Sequence, residues 1–117
     1  MNIEDFRQYC ISKKGVTEEF PFDETTLVFK VMGKMFSLTD LEGDFTINLK
    51  CDPELAIELR ERYPAVLPGY HMNKRLWNTV VIDGSIPDKL IYEWVDHSYS
   101  QVVDKLPKKL KNELDTL

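Results

Sequence analysis

The chain has 117 residues, of which 43% are apolar and 30% charged, and its net charge is −5. This length and composition predict one globular domain over residues 1–117, with a core large enough to be stable without disulfides. Because a polyanion repels an acidic chain at long range, the net charge argues against indiscriminate binding to nucleic acid. Any anion site must therefore be a local patch.

The amino terminus and the cysteines indicate the compartment. Glu4 and Asp5 stand where a secretory signal peptide has cations, and no apolar run is long enough to span a membrane. Cys10 and Cys51 lie in no metal-ligand spacing and are interpreted as core thiols, with a disulfide between them as the alternative. We expect a cytoplasmic protein, with a monomer favoured, that has no membrane contact, no metal and no cofactor.

The first segment is predicted to be a helix. Asn2 can cap it, and Asp5, three residues later, completes a capping-box pattern. Apolar residues then recur at helical spacing. Gly15, which follows two lysines, is predicted to end this helix as its C-cap glycine.

The next segment predicts an antiparallel meander. A short edge strand at 16–20 is followed by runs rich in β-branched and aromatic residues at 25–31, 35–39 and 45–50. Met32-Gly33 joins two of these runs and predicts a tight hairpin, in which glycine supplies a positive φ.

The second half of the chain predicts three more helices and one more strand. Asp52-Pro53 is a typical N-cap and first helical position, and Pro64 ends the short helix that follows. A strand is predicted at 76–82, Pro87 opens the longest helix and Pro107 a last short one. The resulting fold class is α+β, an antiparallel sheet with helices packed on one face.

The segment Pro68–Thr79 reverses the charge of its surroundings. It combines a turn with aromatic, imidazole and cationic side chains and contains no acid. An anion-binding surface is the simplest functional interpretation. The alternative is a loop that leads into a core strand and carries two solvated cations. The side chains in question are Tyr70, His71, Asn73, Lys74, Arg75 and Trp77.

Other cations are predicted to lie near this segment. Lys30, Lys34 and Lys50 fall at strand ends that antiparallel pairing brings to one end of the sheet, and Lys74 with Arg75 precedes the last strand. Such a group suits phosphate, since arginine offers a bidentate fork and lysines offer point charges. Tyr70 and Trp77 would add faces for base stacking. Lysines at strand ends also protect sheets against edge-to-edge pairing, which is the alternative.

Catalysis is not expected. The cations beside His71 favour a neutral imidazole, but no serine or cysteine lies near it in sequence. His97 is too distant in sequence to form a metal-ligand pattern with it. Ser98-Tyr99 on the longest helix could place a pair of hydroxyls against the sheet. The alternative is interfacial packing, with the tyrosine oxygen satisfied at the edge of the core.

Four motifs together resemble the YjbR/MmcQ family: Lys30–Phe36, Leu49–Cys51, Pro68–Thr79 and Ser98-Tyr99. The resemblance implies a CyaY-like α+β fold and DNA binding, the role commonly ascribed to the family. It also implies that the characteristic polar surface of the family falls on Lys30, Lys34, Lys50, His71, Asn73, Lys74 and Trp77. Arg75 stands where the family tolerates several polar residues. No acidic ridge for iron is apparent in the sequence.

The leading hypothesis is a DNA-binding protein whose basic, aromatic rim contacts phosphates with little base readout. The first rival is a domain that binds a small molecule or an anionic ligand, with His71 and Trp77 forming a pocket. The second rival is a protein-interaction domain, with no partner indicated. An enzyme is the weakest interpretation. The predicted site residues are Lys30, Lys34, Lys50, Tyr70, His71, Asn73, Lys74, Arg75 and Trp77.

Overall fold

A computed structural model describes all 117 residues and contains one antiparallel sheet and four helices. In chain order the elements are α1 Ile3–Ile11, β1 Val16–Glu19, β2 Thr26–Val31, β3 Lys34–Asp40, β4 Thr46–Lys50, α2 Pro53–Arg62, β5 Val66–Pro68, β6 Trp77–Val81, α3 Asp88–Asp104 and α4 Lys108–Asp115. The strand order is β1-β2-β3-β4-β6-β5. This confirms the α+β prediction, whereas the more specific CyaY-like arrangement stays a prediction.

The two predicted capping residues, Asn2 and Asp52, are confirmed by their hydrogen bonds. The Asn2 side chain accepts from the Asp5 N–H at 2.8 Å, and the Asp5 carboxylate accepts from the Asn2 N–H in return. Asp52 accepts from the N–H groups of Glu54 and Leu55 at 3.1 Å, directly before Pro53. These caps satisfy donors that a helix start leaves free.

The predicted end of α1 is wrong. The helix stops at Ile11 with Ser12 as its cap, and its last turn carries no cation. Lys13 instead reaches across to α3, where its Nζ lies 2.5 Å from Asp96 Oδ1. Gly15 does adopt a positive φ of 74°, but it turns the chain into β1 and does not cap the helix.

Strand β5 was not predicted. It has only three residues, Val66–Pro68, and pairs with β6 at the border of the sheet. Pro68 is tolerated there because a border strand has an unpaired side. A strand of three residues, between Pro64 and the end of β5 at Pro68, is too short to show the alternation of apolar and polar residues that predicts a strand.

The helices cover one face of the sheet, where the main core lies. Strand side chains that alternate toward this face meet the apolar faces of the helices. The largest enclosed members of this core are Phe6, Phe29, Phe36, Ile47 and Ile91.

The opposite face carries no helix, and we refer to it as the open face. Val28, Leu38 and Trp77 form a second, small apolar cluster there, flanked by Met35, Met72 and Leu76. Because the first three belong to β2, β3 and β6, the cluster spans the middle of the sheet. The segment between β5 and β6 supplies two of the flanking side chains and so helps to cover it.

A bulge in β3 is completed by a helix side chain. Register shifts at Phe29/Lys30, so that Phe36 has no partner in β2. The pairing of β3 with β4 also ends at Ser37. The Ser98 hydroxyl fills the gap: it accepts from the Lys50 N–H at 2.8 Å and donates to the Phe36 carbonyl. The predicted placement of Ser98 against the sheet is confirmed.

Candidate functional site

Strand pairing brings the predicted cations to one end of the sheet, which we call the basic end: Lys30, Lys34, Lys50, Lys74 and Arg75. Lys30 and Lys34 flank the β2–β3 hairpin, where Met32 and Gly33 both have positive φ. Lys50 pairs in register with Trp77, the first residue of β6. Lys74 and Arg75 directly precede that residue.

The cations of the basic end differ in their partners. Lys30 lies 3.5 Å from Glu19 on the neighbouring strand and is therefore paired. Lys34, Lys50, Lys74 and Arg75 have no carboxylate within 4.0 Å. Four positive charges at this end are thus not compensated by direct ion pairs.

A fifth uncompensated cation, Lys105, was not predicted. It follows the last turn of α3, and the repulsion of its charge lowers the pKa of Lys50, after the larger effect of burial. The two ammonium groups therefore lie near each other in space, although 55 residues separate them in sequence. No local motif could have shown this proximity.

The segment Gly69–Leu76 folds back over the open face. The Gly69 N–H donates to the Trp77 carbonyl at 2.9 Å, and the Tyr70 N–H donates to Thr79 Oγ1 at 2.9 Å. Tyr70 therefore lies above β6, away from the basic end. The predicted run Pro68–Thr79 is divided between two surfaces.

Two residues make this return possible. A Cβ built on Gly69 would lie 2.8 Å from Trp77 Cβ, so that only glycine fits between the segment and the strand. Arg60 of α2 holds the second half of the segment in place. Its Nε donates to Asn78 Oδ1 at 2.6 Å, and its guanidinium also donates to the Lys74 carbonyl. Arg60 was missed because its partners are distant in sequence.

Trp77 does not offer a stacking face. It is only 7% exposed, since Met72 and Leu76 pack against it in the open-face cluster. The expectation of base stacking on this ring does not fit its burial. Asn73 likewise has a local role, because its side chain accepts from the Arg75 N–H and its carbonyl accepts from Trp77.

Tyr70 and His71 line a groove of about 730 Å³ on the open face. Their rings are 4.0 Å apart, and His71 holds a positive φ of 57°. We call it the acidic groove because the lining also contains the four acids Asp23, Asp40, Glu42 and Asp44. Trp77 does not line it, so His71 and Trp77 do not form a common pocket, and the lining disfavours an anion.

The acidic groove lies toward the sheet end opposite to the basic end. Asp40 ends β3, which Lys34 begins, and Asp44 precedes β4, which Lys50 ends. The chain therefore separates its charges along the strand direction.

Comparison with known proteins then identifies the family. The YjbR family model matches residues 11–101, which is most of the chain. The chain belongs to the YjbR family. It is 39% identical over 110 residues to the protein YjbR of Escherichia coli K12, with 93% of each chain covered. It is 40% identical over 91 residues to YbdF of Escherichia coli O157:H7, covering 77% of this chain and 75% of YbdF.

Solved structures of similar chains share the fold. A crystal structure of a Deinococcus radiodurans protein has a TM-score of 0.91 and 41% identity, with 97% of this chain and 88% of that chain covered. A crystal structure of a Pseudomonas syringae protein has a TM-score of 0.71 and 29% identity, with 84% and 96% covered. Both Escherichia coli relatives are described as uncharacterised, so YjbR membership carries no activity to this chain.

Two further observations on this YjbR-family chain concern metal ligands and helix length. No group of three or more histidine, cysteine, aspartate or glutamate side chains is arranged to hold a metal ion. None of the four helices has the length and apolar character needed to cross a bilayer.

Proposed function

We propose that this YjbR-family protein binds nucleic acid through phosphate contacts at the basic end, with little base readout. The observation that supports the proposal is the absence of any carboxylate within 4.0 Å of Lys34, Lys50, Lys74 or Arg75. Cations without acidic partners keep their charge available for an external anion. DNA is the partner that we infer.

The environment of Lys50 favours an external anion. Burial, and then the charge of Lys105, lower the pKa of Lys50. The charged ammonium form of Lys50 is therefore less stable in the folded protein than it would be in water. A phosphate oxygen beside Lys50 and Lys105 would offset this cost by favouring the charged form. Arg75, which is exposed, can add a bidentate contact.

The net charge of −5 sets the expected strength of binding. The acidic remainder of the molecule opposes a polyanion at long range, so contacts at the basic end must act at short range. Binding is therefore expected to be weak at physiological salt and to depend steeply on salt concentration.

The test is the salt dependence of binding to single-stranded and double-stranded oligonucleotides, measured by fluorescence anisotropy. Lys74→Ala and Arg75→Ala should each reduce the slope of log affinity against log salt by about one unit. Lys89→Ala is the matched control: Lys89 is an exposed cation without an ion pair near the start of α3, whereas Lys105 follows its end. The control should leave the slope unchanged.

Two outcomes would contradict the proposal. One is binding that does not respond to salt, since phosphate neutralisation must release counterions. The other is an equal loss in the Lys74→Ala, Arg75→Ala and Lys89→Ala proteins, which would indicate a diffuse attraction without a defined surface.

We also propose that the protein acts in the cytoplasm as a monomer. Cys10 and Cys51 are both free and buried, and burial raises the pKa of the Cys10 thiol to about 12 and that of Cys51 to about 11. Protonated, enclosed thiols are typical of core residues in a reducing compartment.

A further inference from the structure

A second group of lysines lies on the last helix. Lys108, Lys109 and Lys111 belong to the first half of α4, and the first turn of this helix carries no acid. Lys108 and Lys109 are exposed, and Lys111 is half-buried. None of the three has a carboxylate within 4.0 Å. We call them the α4 row, and like the unpaired cations of the basic end they keep their charge available for an external anion.

Packing places α4 beside the basic end. A Cβ built on Gly15 would lie 2.6 Å from Leu114 Cδ1 of α4 and 3.2 Å from Met32 Sδ, so the helix and the β2–β3 hairpin meet at this glycine. At its other end, α4 begins three residues after Lys105, whose ammonium group lies near that of Lys50. The helix therefore extends along the basic end, from the side of Lys50 to the side of the hairpin.

The apolar side of α4 is covered by the protein itself. Leu114 is buried in the main core, and Leu110 packs against that core. Of the leucines at helical spacing, only Leu117, beyond the end of α4, is largely exposed. An amphipathic helix that lies on a bilayer needs a free apolar face to enter the lipid. The exposed side of α4 is polar and therefore suits a dissolved polyanion better than a membrane.

The basic end has no exposed aromatic ring. The exposed aromatic side chains of the protein are Phe20, Phe22 and Tyr70. Phe22 and Tyr70 line the acidic groove, and Phe20 follows β1, whose opposite end meets the hairpin through the pair Val16 and Val31. Proteins that bind single-stranded nucleic acid without sequence preference stack bases on such rings. A surface that contacts phosphates and stacks no bases favours a duplex over a single strand.

The unpaired cations lie in two layers of the molecule. Those at the end of the sheet, which we call the sheet row, are Lys34, Lys50, Lys74 and Arg75. They lie at or near the ends of β3, β4 and β6, which are neighbours in the sheet, and strands about 4.8 Å apart give the row a width of about 10 Å. The α4 row lies in the helix layer, on a helix of eight residues that is about 12 Å long. Two such rows can follow the two backbones that border a groove of a duplex, whereas a single strand can follow only one of them.

We propose that the basic end binds double-stranded DNA, with one phosphate backbone along the sheet row and the other along the α4 row. This inference rests on the proposed function and adds to it the form of the nucleic acid and a second line of contacts. Lys105 joins the two rows, because it lies near Lys50 and directly precedes α4. A duplex carries twice the phosphate charge of one strand per length, so cations in both rows can be neutralised together.

The test compares a DNA duplex with its separated strands in fluorescence anisotropy titrations at several salt concentrations. The duplex should bind more tightly than either strand and with a steeper dependence on salt. Lys108→Gln and Lys109→Gln remove a charge and keep a helix-favouring polar side chain. Each should reduce the slope of log affinity against log salt by about one unit for the duplex, and by less for a single strand, which can leave the α4 row unoccupied. Asn112→Ala, at an exposed and uncharged position of the same helix, is the matched control and should change neither slope.

The outcomes separate this inference from the proposed function. If Lys74→Ala and Arg75→Ala reduce the duplex slope but Lys108→Gln and Lys109→Gln do not, the second row is overturned and the proposed function stands. Equal affinity for the duplex and its strands overturns the preference for a duplex. If none of the four variants changes the slope, the proposed function fails as well. Binding to vesicles of phosphatidylserine and phosphatidylcholine that requires Lys108 and Lys109, without binding to the duplex, would assign α4 to a membrane and overturn the inference.

Discussion

Gly15 and Gly33 adopt the same left-handed backbone conformation in different surroundings. Their φ values are 74° and 82°. A Cβ on Gly15 would lie 2.6 Å from Leu114 Cδ1 and 3.2 Å from Met32 Sδ, whereas no atom lies within 4 Å of one on Gly33. The first glycine therefore meets two constraints, on φ and on space, and the second meets one.

This difference predicts unequal losses of stability. Gly33→Ala should lower the free energy of unfolding by about 1–2 kcal/mol, the cost of a left-handed alanine. Gly15→Ala should lose about 1–3 kcal/mol more, because the methyl group must displace Leu114 of α4. Urea denaturation of both proteins measures the two values. Equal losses would mean that α4 yields freely at this contact.

Helix α3 contacts the sheet at the β3 bulge through the hydroxyl of Ser98. Ser98 is fully buried and links β3 to β4 where their direct pairing stops. The linked groups are the Lys50 N–H and the Phe36 carbonyl, which would otherwise face each other without a hydrogen bond. The junction of α3 with the sheet thus depends on a side chain small enough to fit and polar enough to bridge.

Ser98→Ala removes only one oxygen atom, yet it should lower the stability of the protein considerably. Without the hydroxyl, the buried Phe36 carbonyl and the Lys50 N–H lose their partner, which predicts a loss of about 1–3 kcal/mol in unfolding free energy. Amide hydrogen exchange at Lys50 should accelerate as well. Ser100→Ala, two residues further along α3 and exposed, is the control and should stay within about 0.5 kcal/mol of the parent.

The strands and helices were predictable where their signals are local. Asn2 and Asp52 mark helix starts through their own side chains, and the Met32-Gly33 hairpin follows from turn chemistry. The end of α1 was mispredicted because the ion pair of Lys13 with Asp96 is a tertiary contact. Propensity at a helix end is weak enough for such contacts to override it.

The candidate site was predictable in part. Strand-end cations could be placed at one end of the sheet because antiparallel pairing fixes which ends meet. The path of the segment that carries Tyr70 and His71 back over the open face could not be predicted. It depends on the close approach of Gly69 to Trp77 and on the hydrogen bonds of Arg60, which are tertiary contacts. Lys105 belongs to the basic end, and the acids line the groove, only because folding brings together residues that are distant in sequence.

At the scale of the whole molecule, an ion pair joins the first helix to the first strand. Arg7 donates to both carboxylate oxygens of Glu18 at 2.7 Å, and these hydrogen bonds lower the pKa of Glu18 below its usual value of 4.5. A carboxylate with a lowered pKa in the folded state stabilises that state fully above the unfolded-state pKa. This contribution is lost as pH falls through the folded-state value.

The stability of the protein should therefore decline below about pH 4.5, and Glu18→Gln should make the decline shallower. Thermal unfolding between pH 7 and pH 3 measures both slopes. Glu24→Gln removes an exposed acid without an ion pair and should leave the slope closer to that of the parent. If the Glu18→Gln slope equals that of the parent, the pair with Arg7 contributes nothing to acid stability.

The strand order also determines how copies of the molecule behave when they meet. The two border strands are β1, with four residues and two acids, and β5, with three residues and Pro68. Short, charged or proline-containing borders are poor templates for another strand. Native molecules that collide side by side therefore cannot continue the sheet from one chain to the next. At high concentration the folded protein should resist templated growth into fibrils, and any such growth would have to start from unfolded chains.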